Sequence, residues 1–192
     1  MKHEVTSMYT KTALSNALKK RMETKPFSKI TVSDIIADCG LNRKTFYYHF
    51  EDMRDLLRWT LRHEAINVVE SFDFATDNKE AILFVVDYLE QNQHMLNCVY
   101  DAVGSGELRM FLYEDFKKIA RKIITTAENQ LGKRISEEYK DLLASFYTDG
   151  IVGIIIEWLN GKFKLEKSSA VRYVTDIFKG SLTGLIEHAE SV

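Results

Sequence analysis

The sequence predicts an all-α protein: an N-terminal three-helix helix-turn-helix DNA-binding domain, followed by a C-terminal helical regulatory and dimerisation bundle. Three observations predict it. Pro26 is the sole proline and there are nine glycines, which leaves little turn chemistry for a sheet. Apolar residues recur three and four positions apart in almost every long window, the period of a helix buried along one face. The stretch Ile30–Leu57, ITVSDIIADCGLNRKTFYYHFEDMRDLL, encodes two short helices around a tight glycine turn and ends on a basic, aromatic surface.

In the first helix Leu14, Ala17, Leu18 and Met22 form one stripe, which stops before Lys25-Pro26 because the residue preceding proline avoids helical angles. A short linker with Phe27 and Ile30 follows. Thr31-Val-Ser-Asp34 has capping-box spacing, in which the threonine hydroxyl and the acidic side chain satisfy free backbone N–H groups, so a second helix starts there. Ile35, Ile36 and Cys39 give it a narrow apolar face, and Gly40 can take the left-handed conformation that ends it. Leu41 plugs the corner, and Asn42 caps a third short helix. There Phe46 and Phe50, four apart, point to the core and leave Arg43, Lys44, Tyr47 and Tyr48 on the opposite side and its edges. Such a helix fits the major groove: arginine grips guanine bidentately, lysine reaches the same acceptors or a phosphate, and tyrosine and histidine donate to backbone phosphates. Residues 1–51 are accordingly assigned to the DNA-binding domain and 52–192 to the regulatory and dimerisation domain.

A long linking helix over 52–72 carries Met53, Leu56, Leu57, Leu61, Ile66, Val69 and Phe72 inward and joins the two halves. Beyond a turn at Ser71–Asn78, helices are predicted at about 79–99, 107–131, 136–160 and 168–189, separated by Gly104-Ser-Gly106, Gly132-Lys-Arg and Asn160-Gly-Lys. Along 143–159 the residues Leu143, Phe146, Tyr147, Gly150, Ile151, Ile154, Ile155, Trp158 and Leu159 make a stripe that Val152 and Ile156 extend nearly all round. A helix like that must be covered on most sides, partly by a second copy of the chain. The last helix offers a matching face in Val171, Val174, Phe178, Leu182 and Leu185, with Gly180 and Gly184 permitting close approach. The predicted homodimer interface is Ile151, Ile154, Ile155, Trp158, Val174, Phe178, Leu182 and Leu185. Phe84, Tyr88, Met95, Tyr100, Met110, Phe111, Tyr113 and Phe116 read as core in preference to pocket lining, since aromatics and methionines at helical spacing are usually core.

Charge is divided unevenly. Residues 1–62 carry 12 Lys/Arg against 7 Asp/Glu, while residues 63–192 carry 14 against 21, which together give the overall −2. The basic N-terminal end points to a polyanion. Cys39 and Cys98 each sit in an apolar helical pattern and read as buried thiols, neither bridged nor metal-bound. The start, MKHEVTSMYTK, lacks the apolar run of a leader, and no stretch reaches eighteen or so apolar residues, so a cytosolic protein with no membrane span is expected. His3, His63, His94 and His188 have no acidic or cysteine partner at metal-ligand spacing, and no metal or other cofactor is assigned. A nucleophile elbow, a phosphate loop, a zinc-helix motif and paired buried acids are all missing from the sequence, so no enzyme is predicted.

The order of capped helix, Gly-Leu-Asn turn, Thr45, Phe46-Tyr-Tyr-His-Phe50 and a following Leu56-Leu57 resembles TetR-type repressors over about fifty residues. The resemblance implies that Arg43, Lys44 and Thr45 face base edges while Ser33, Tyr47 and His49 position the DNA backbone, with Asn42 and Tyr48 on the same surface. It also implies a departure: the family usually has lysine where Met53 stands, so a phosphate contact is lost or passes to Arg54. A whole-length resemblance reaches the DhaS-type branch, regulators of dihydroxyacetone-kinase operons, through KPFSKITVSDI, CGLNRKTFYYHF and SFYTDGIVGIIIEWLNGKFK. What this implies is an activator of transcription working with a kinase-like coactivator protein that senses dihydroxyacetone. The alternatives are a ligand-gated repressor with a small-molecule pocket in the helical bundle, and an all-helical adaptor that binds protein alone. The partners expected are operator DNA, a second copy of the chain, and one of these two effectors.

Overall fold

The computed structural model describes residues 2–73, 78–162 and 166–189, and these are helical apart from short connections. The helices are α1 (Lys2–Met22), α2 (Val32–Cys39), α3 (Arg43–His49), α4 (Met53–Leu61), α5 (Asn67–Ser71), α6 (Asn78–Gln91), α7 (Gln93–Leu131), α8 (Glu137–Leu159) and α9 (Lys167–Glu187). The centre of the predicted turn at 71–78, and residues 163–165 at the end of the late motif, lie outside the described residues.

Local signals place the first four helices where the sequence puts them. The Thr31 hydroxyl accepts from the Asp34 N–H, and the Asp34 carboxylate accepts from the Thr31 N–H at 2.9 Å, completing the capping box of α2. Gly40 ends that helix at φ 64°. The Asn42 side-chain oxygen accepts from the Thr45 N–H at 2.9 Å and starts α3, and Asp52 caps α4 in the same way through the Asp55 N–H. The linking helix departs from a simple rod: a single π-helical turn at Arg62–Ile66 separates α4 from α5.

Two expectations about the second half need correction. The helix predicted over 79–99 is interrupted at Asn92, whose side-chain amide donates to the Tyr88 carbonyl at 2.9 Å; this local bond competes with helix continuation. At Gly104, by contrast, the break is a single residue with φ 77°, and helical backbone resumes directly, so α7 spans both sides of it. The cysteines are half-buried, Cys39 donating to the Ala13 carbonyl at 3.4 Å and Cys98 to that of Met22 at 3.8 Å. Length and composition alone would let α8 cross a membrane, so the expectation about apolar stretches was too strong. Here α8 packs along α7 and carries buried Leu143, Tyr147, Val152, Ile155 and Leu159.

One core cluster joins Leu14, Leu18, Ile35, Phe46, Leu56 and Leu57 of the N-terminal helices with Met95, Val99 and Leu108 of α7 and Val152 and Ile156 of α8. The DNA-binding helices therefore rest on the regulatory bundle through shared apolar packing, not through a linker alone. A second cluster holds Ile124, Leu143, Tyr147, Leu182 and Ile186 at the far end. The turn between α7 and α8 is held by Glu128, fully buried, which accepts from the Ile135 N–H at 3.0 Å and pairs with Lys140 at 2.8 Å.

Candidate nucleic-acid interface

The recognition surface is built on α3, and its orientation follows from two phenylalanines. Phe46 is completely buried and Phe50 nearly so, their rings 6.0 Å apart, with Trp59 edge-on to Phe50 at 5.9 Å. That anchorage turns Tyr47 and Tyr48 outward, at 54% and 69% exposure, beside exposed Arg43 and Lys44. Ring planes are fixed as well: Tyr47 is edge-on to Phe46, and Tyr48 to His49 at 4.9 Å.

The predicted residues are brought onto one surface, but several already have partners. Arg43 donates to the Ser33 hydroxyl at 2.9 Å, so the guanidinium is steered by α2. Both the Thr45 N–H and its hydroxyl donate to the Asn42 side-chain oxygen, which commits that oxygen to the cap. His49 is half-buried between Tyr48 and Phe50. Lys11 of α1 lies over the Phe50 and Trp59 rings at 5.8 and 5.9 Å, adding a cation behind the recognition helix. Met53 is half-buried against the core, and Arg54 pairs with Glu107 of α7 at 2.9 Å. The residue expected to take over a phosphate contact thus ties the linking helix to the regulatory half.

Carboxylates lock the scaffold beneath this surface. Asp38 is held well below the ordinary aspartate range, chiefly by bonds from Arg21, whose Nε and Nη2 both donate at 2.6 Å. Asp34 is lowered by the Thr31 backbone and hydroxyl bonds of the capping box. Long-range pairs that sequence spacing could not reveal surround the π turn. Glu64 pairs with Lys19 of α1 at 2.8 Å and accepts from the Tyr88 hydroxyl of α6 at 3.5 Å, while Arg62 pairs with the largely buried Asp115 of α7 at 3.1 Å. Burial, with Glu64 adding to it, pushes the Tyr88 hydroxyl far up.

In the regulatory half, most of the predicted interface residues lie along one cavity of the protomer. Ile151, Ile154, Ile155, Trp158, Val174, Phe178 and Leu182 line a cavity of about 740 Å³ between α6, α7, α8 and α9. Ile155 and Leu182 are buried within the protomer. Of that set only Leu185 lies off the cavity and on the surface. Away from the cavity, α8 and α9 expose Leu142, Phe146 and Leu185, beside Gly150 and Gly180, while Tyr173 and Ile177 are exposed at its rim. α8 is apolar on both sides, and periodicity alone does not say which side meets the cavity. Among the aromatics and methionines expected in the core, Phe116 lines the cavity and Met110 is 75% exposed. Sequence reasoning missed Val85, Val86 and Leu89 of α6 as cavity lining. Among the described residues, no three His, Cys, Asp or Glu side chains converge to hold a metal.

Comparison with known proteins fits this geometry. Residues 16–58 match the family described as "Bacterial regulatory proteins, tetR family", and residues 77–180 match "Transcriptional regulator C-terminal region". The HTH-type dhaKLM operon transcriptional activator DhaS of Lactococcus lactis subsp. lactis (strain IL1403) is 22% identical over 161 residues, covering 84% of this chain and 85% of the relative. A solved structure described as dihydroxyacetone kinase operon activator DhaS shares the fold, with a TM-score of 0.71 at 19% identity over 96% of this chain and 99% of its own. The first two helices of the recognition unit, the linking helix and the C-terminal bundle are thus those of a known regulator architecture, and the chain belongs to the TetR family of bacterial transcription regulators.

Proposed function

We propose that the chain binds a near-palindromic operator as a homodimer, each copy laying α3 in the major groove. Arg43, Lys44 and Thr45 read base edges, and Ser33, Tyr47, Tyr48 and His49 grip the phosphate backbone. The observation that carries the proposal is the outward array of Arg43, Lys44, Tyr47 and Tyr48 on a short helix capped by Asn42 and pinned by Phe46. An adaptor that binds protein alone would have no use for that basic and aromatic face. Dimerisation is assigned to the outward face of α8 and α9, where Phe146 is 67% and Leu142 63% exposed in the protomer. Such a regulator acts in the cytosol. Titrating the protein against duplex DNA at increasing salt tests the proposal: affinity should fall steeply with salt, and specific sites should outcompete random duplex. Sequence-independent binding at every salt concentration would refute it.

For the effector, two readings have support of different kinds. Likeness to an activator of the dhaKLM operon supports control of a dihydroxyacetone-kinase operon together with a kinase-like coactivator. The cavity of about 740 Å³ supports a small molecule held inside the bundle, because its size falls within the usual range of ligand sites. In either reading the effector acts by preferring one separation of the two recognition helices, and α4 with its π turn transmits the preference.

A further inference from the structure

Cations around the recognition helix are held in two different ways. Lys19, Arg21, Lys25, Arg54 and Arg62 each pair with a carboxylate, so their charge is neutralised within the protein. Lys11 of α1 is held by rings instead, its ammonium 5.8 Å from the centre of Phe50 and 5.9 Å from that of Trp59. Ring faces attract a cation without cancelling its charge, so this side chain is aimed while its positive field stays open to an anion. Among the described residues no carboxylate comes within ion-pair distance of it, although Glu51, Asp52 and Asp55 follow Phe50 closely in the chain. Asp52 and Asp55 are engaged by backbone, accepting from the Asp55 and Glu51 N–H groups at 2.8 and 3.1 Å.

The place of Lys11 says which anion it can meet. Phe50 is the C-cap of α3, so the ammonium stands at the C-terminal end of the recognition helix. Leu14 and Leu18 anchor α1 in the core, whereas Thr6, Met8 and Tyr9 are exposed and Lys11 half-buried, which leaves the early turns of α1 clear of the protein at this end. A major groove is about 8.5 Å deep, and a helix with its side chains is about 10–12 Å across. With α3 on the groove floor, its back stands level with the phosphates, and a cation behind its end meets the groove wall and not the base edges. At the start of α4, Met53 carries no charge and Arg54 is held by Glu107, so that flank depends on Lys11 for positive charge.

We infer that Lys11 is a phosphate contact of the operator complex, a cation from α1 that grips the DNA strand beside the C-terminal end of α3. The inference rests on the operator-binding reading and adds to it a residue outside the helix-turn-helix. A phosphate contact strengthens binding and fixes its register without choosing bases, so Lys11 acts alike on every sequence.

The test titrates the full chain against a selected site and against random duplex at several salt concentrations. Each phosphate contact contributes about 0.9 to the slope of log affinity against log salt, so a dimer that loses one contact per copy loses about 1.8. Lys11→Met keeps the apolar stem on the rings and removes the charge. It should retain the helical content by circular dichroism and the sites selected by wild type, and bind both duplexes more weakly at low salt. Its loss of affinity between about 50 and 200 mM salt should be about ten-fold smaller than that of wild type. Lys11→Arg should restore the wild-type slope. Arg134→Met, which removes one charge at the exposed turn between α7 and α8, should leave the slope unchanged. Should Lys11→Met fail to fold, Lys11→Gln carries the same expectation. A wild-type slope in the folded variant, with or without weaker binding, would reduce Lys11 to a pin between α1 and α4 and overturn the inference. An equal fall in slope in Arg134→Met would overturn it too, since net charge would then account for the effect. Either result leaves operator binding standing so long as wild type is site-selective and salt-sensitive; a wild type that is neither would refute the operator reading itself.

Discussion

The two ends of this molecule solve opposite packing problems. Around α3 the apolar side chains close on one another, and Phe46, Leu56, Leu57, Leu14 and Ile35 are all fully buried. Around α6 and α9 the lining residues are mostly half-buried and leave about 740 Å³ between them. A dense core fixes the recognition helix in one pose, as reading base edges requires. A hollow one leaves room for an occupant to shift helices, as a regulated half requires.

The contrast predicts unequal responses to truncation, and the largest effect belongs to the dense end. Phe46→Ala should cost roughly 3–5 kcal/mol in denaturant unfolding, because its ring is removed from a site with no freedom to collapse. Ile154→Ala, on the cavity wall, should cost well under that, about 1 kcal/mol, since little of its side chain is packed on every side. Equal losses at the two positions would mean that the cavity closes in solution.

A second comparison sets the two faces of α8 and α9 against each other. Phe146→Glu, on the outward face of α8, should yield a monomer by light scattering while leaving the helical content unchanged, because it places a charge in the proposed interface. Leu182→Glu, on the inward face, should instead destabilise the protomer itself. A dimer that survives Phe146→Glu would remove this face as the interface.

Smaller effects probe the caps of the recognition unit. Thr31→Ala should cost about 1 kcal/mol, the usual value of an N-cap side chain, and loosen α2 ahead of the rest. Asp34 and Asp38 both titrate below the ordinary aspartate value of 3.8 in the folded chain. Their stabilisation is complete above that pH and is lost as pH falls through the lowered folded values. Acid unfolding followed by circular dichroism should therefore shift to higher pH in Asp38→Asn, with no change near neutrality in the pH dependence.

Much of the DNA-binding end was legible in the sequence because its signals are short-range. The Thr31–Asp34 box, Gly40, the Asn42 cap and the Phe46/Phe50 spacing each act within one turn of helix, and each appears where spacing puts it. The regulatory half was legible as helices but not as faces. Nothing in the period of α8 tells Ile155, buried inside, from Phe146, exposed outside, since both lie on apolar arcs. Ion pairs such as Arg54–Glu107 and Lys19–Glu64 join residues about fifty positions apart, and the break at Asn92 rests on a side-chain bond to Tyr88 that no glycine or proline announces.

The most direct test of the account is selection from a random duplex library by wild-type protein and by Arg43→Ala and Lys44→Ala variants, each first shown to be folded. Wild type should enrich a near-palindromic site whose half-sites lie about 34–36 Å apart or open to a wider spacing. The variants should bind about 1–3 kcal/mol more weakly per half-site and lose base preference at defined positions. Recovery of the same sites, with the same preferences, by all three proteins would contradict the claim that α3 reads the operator.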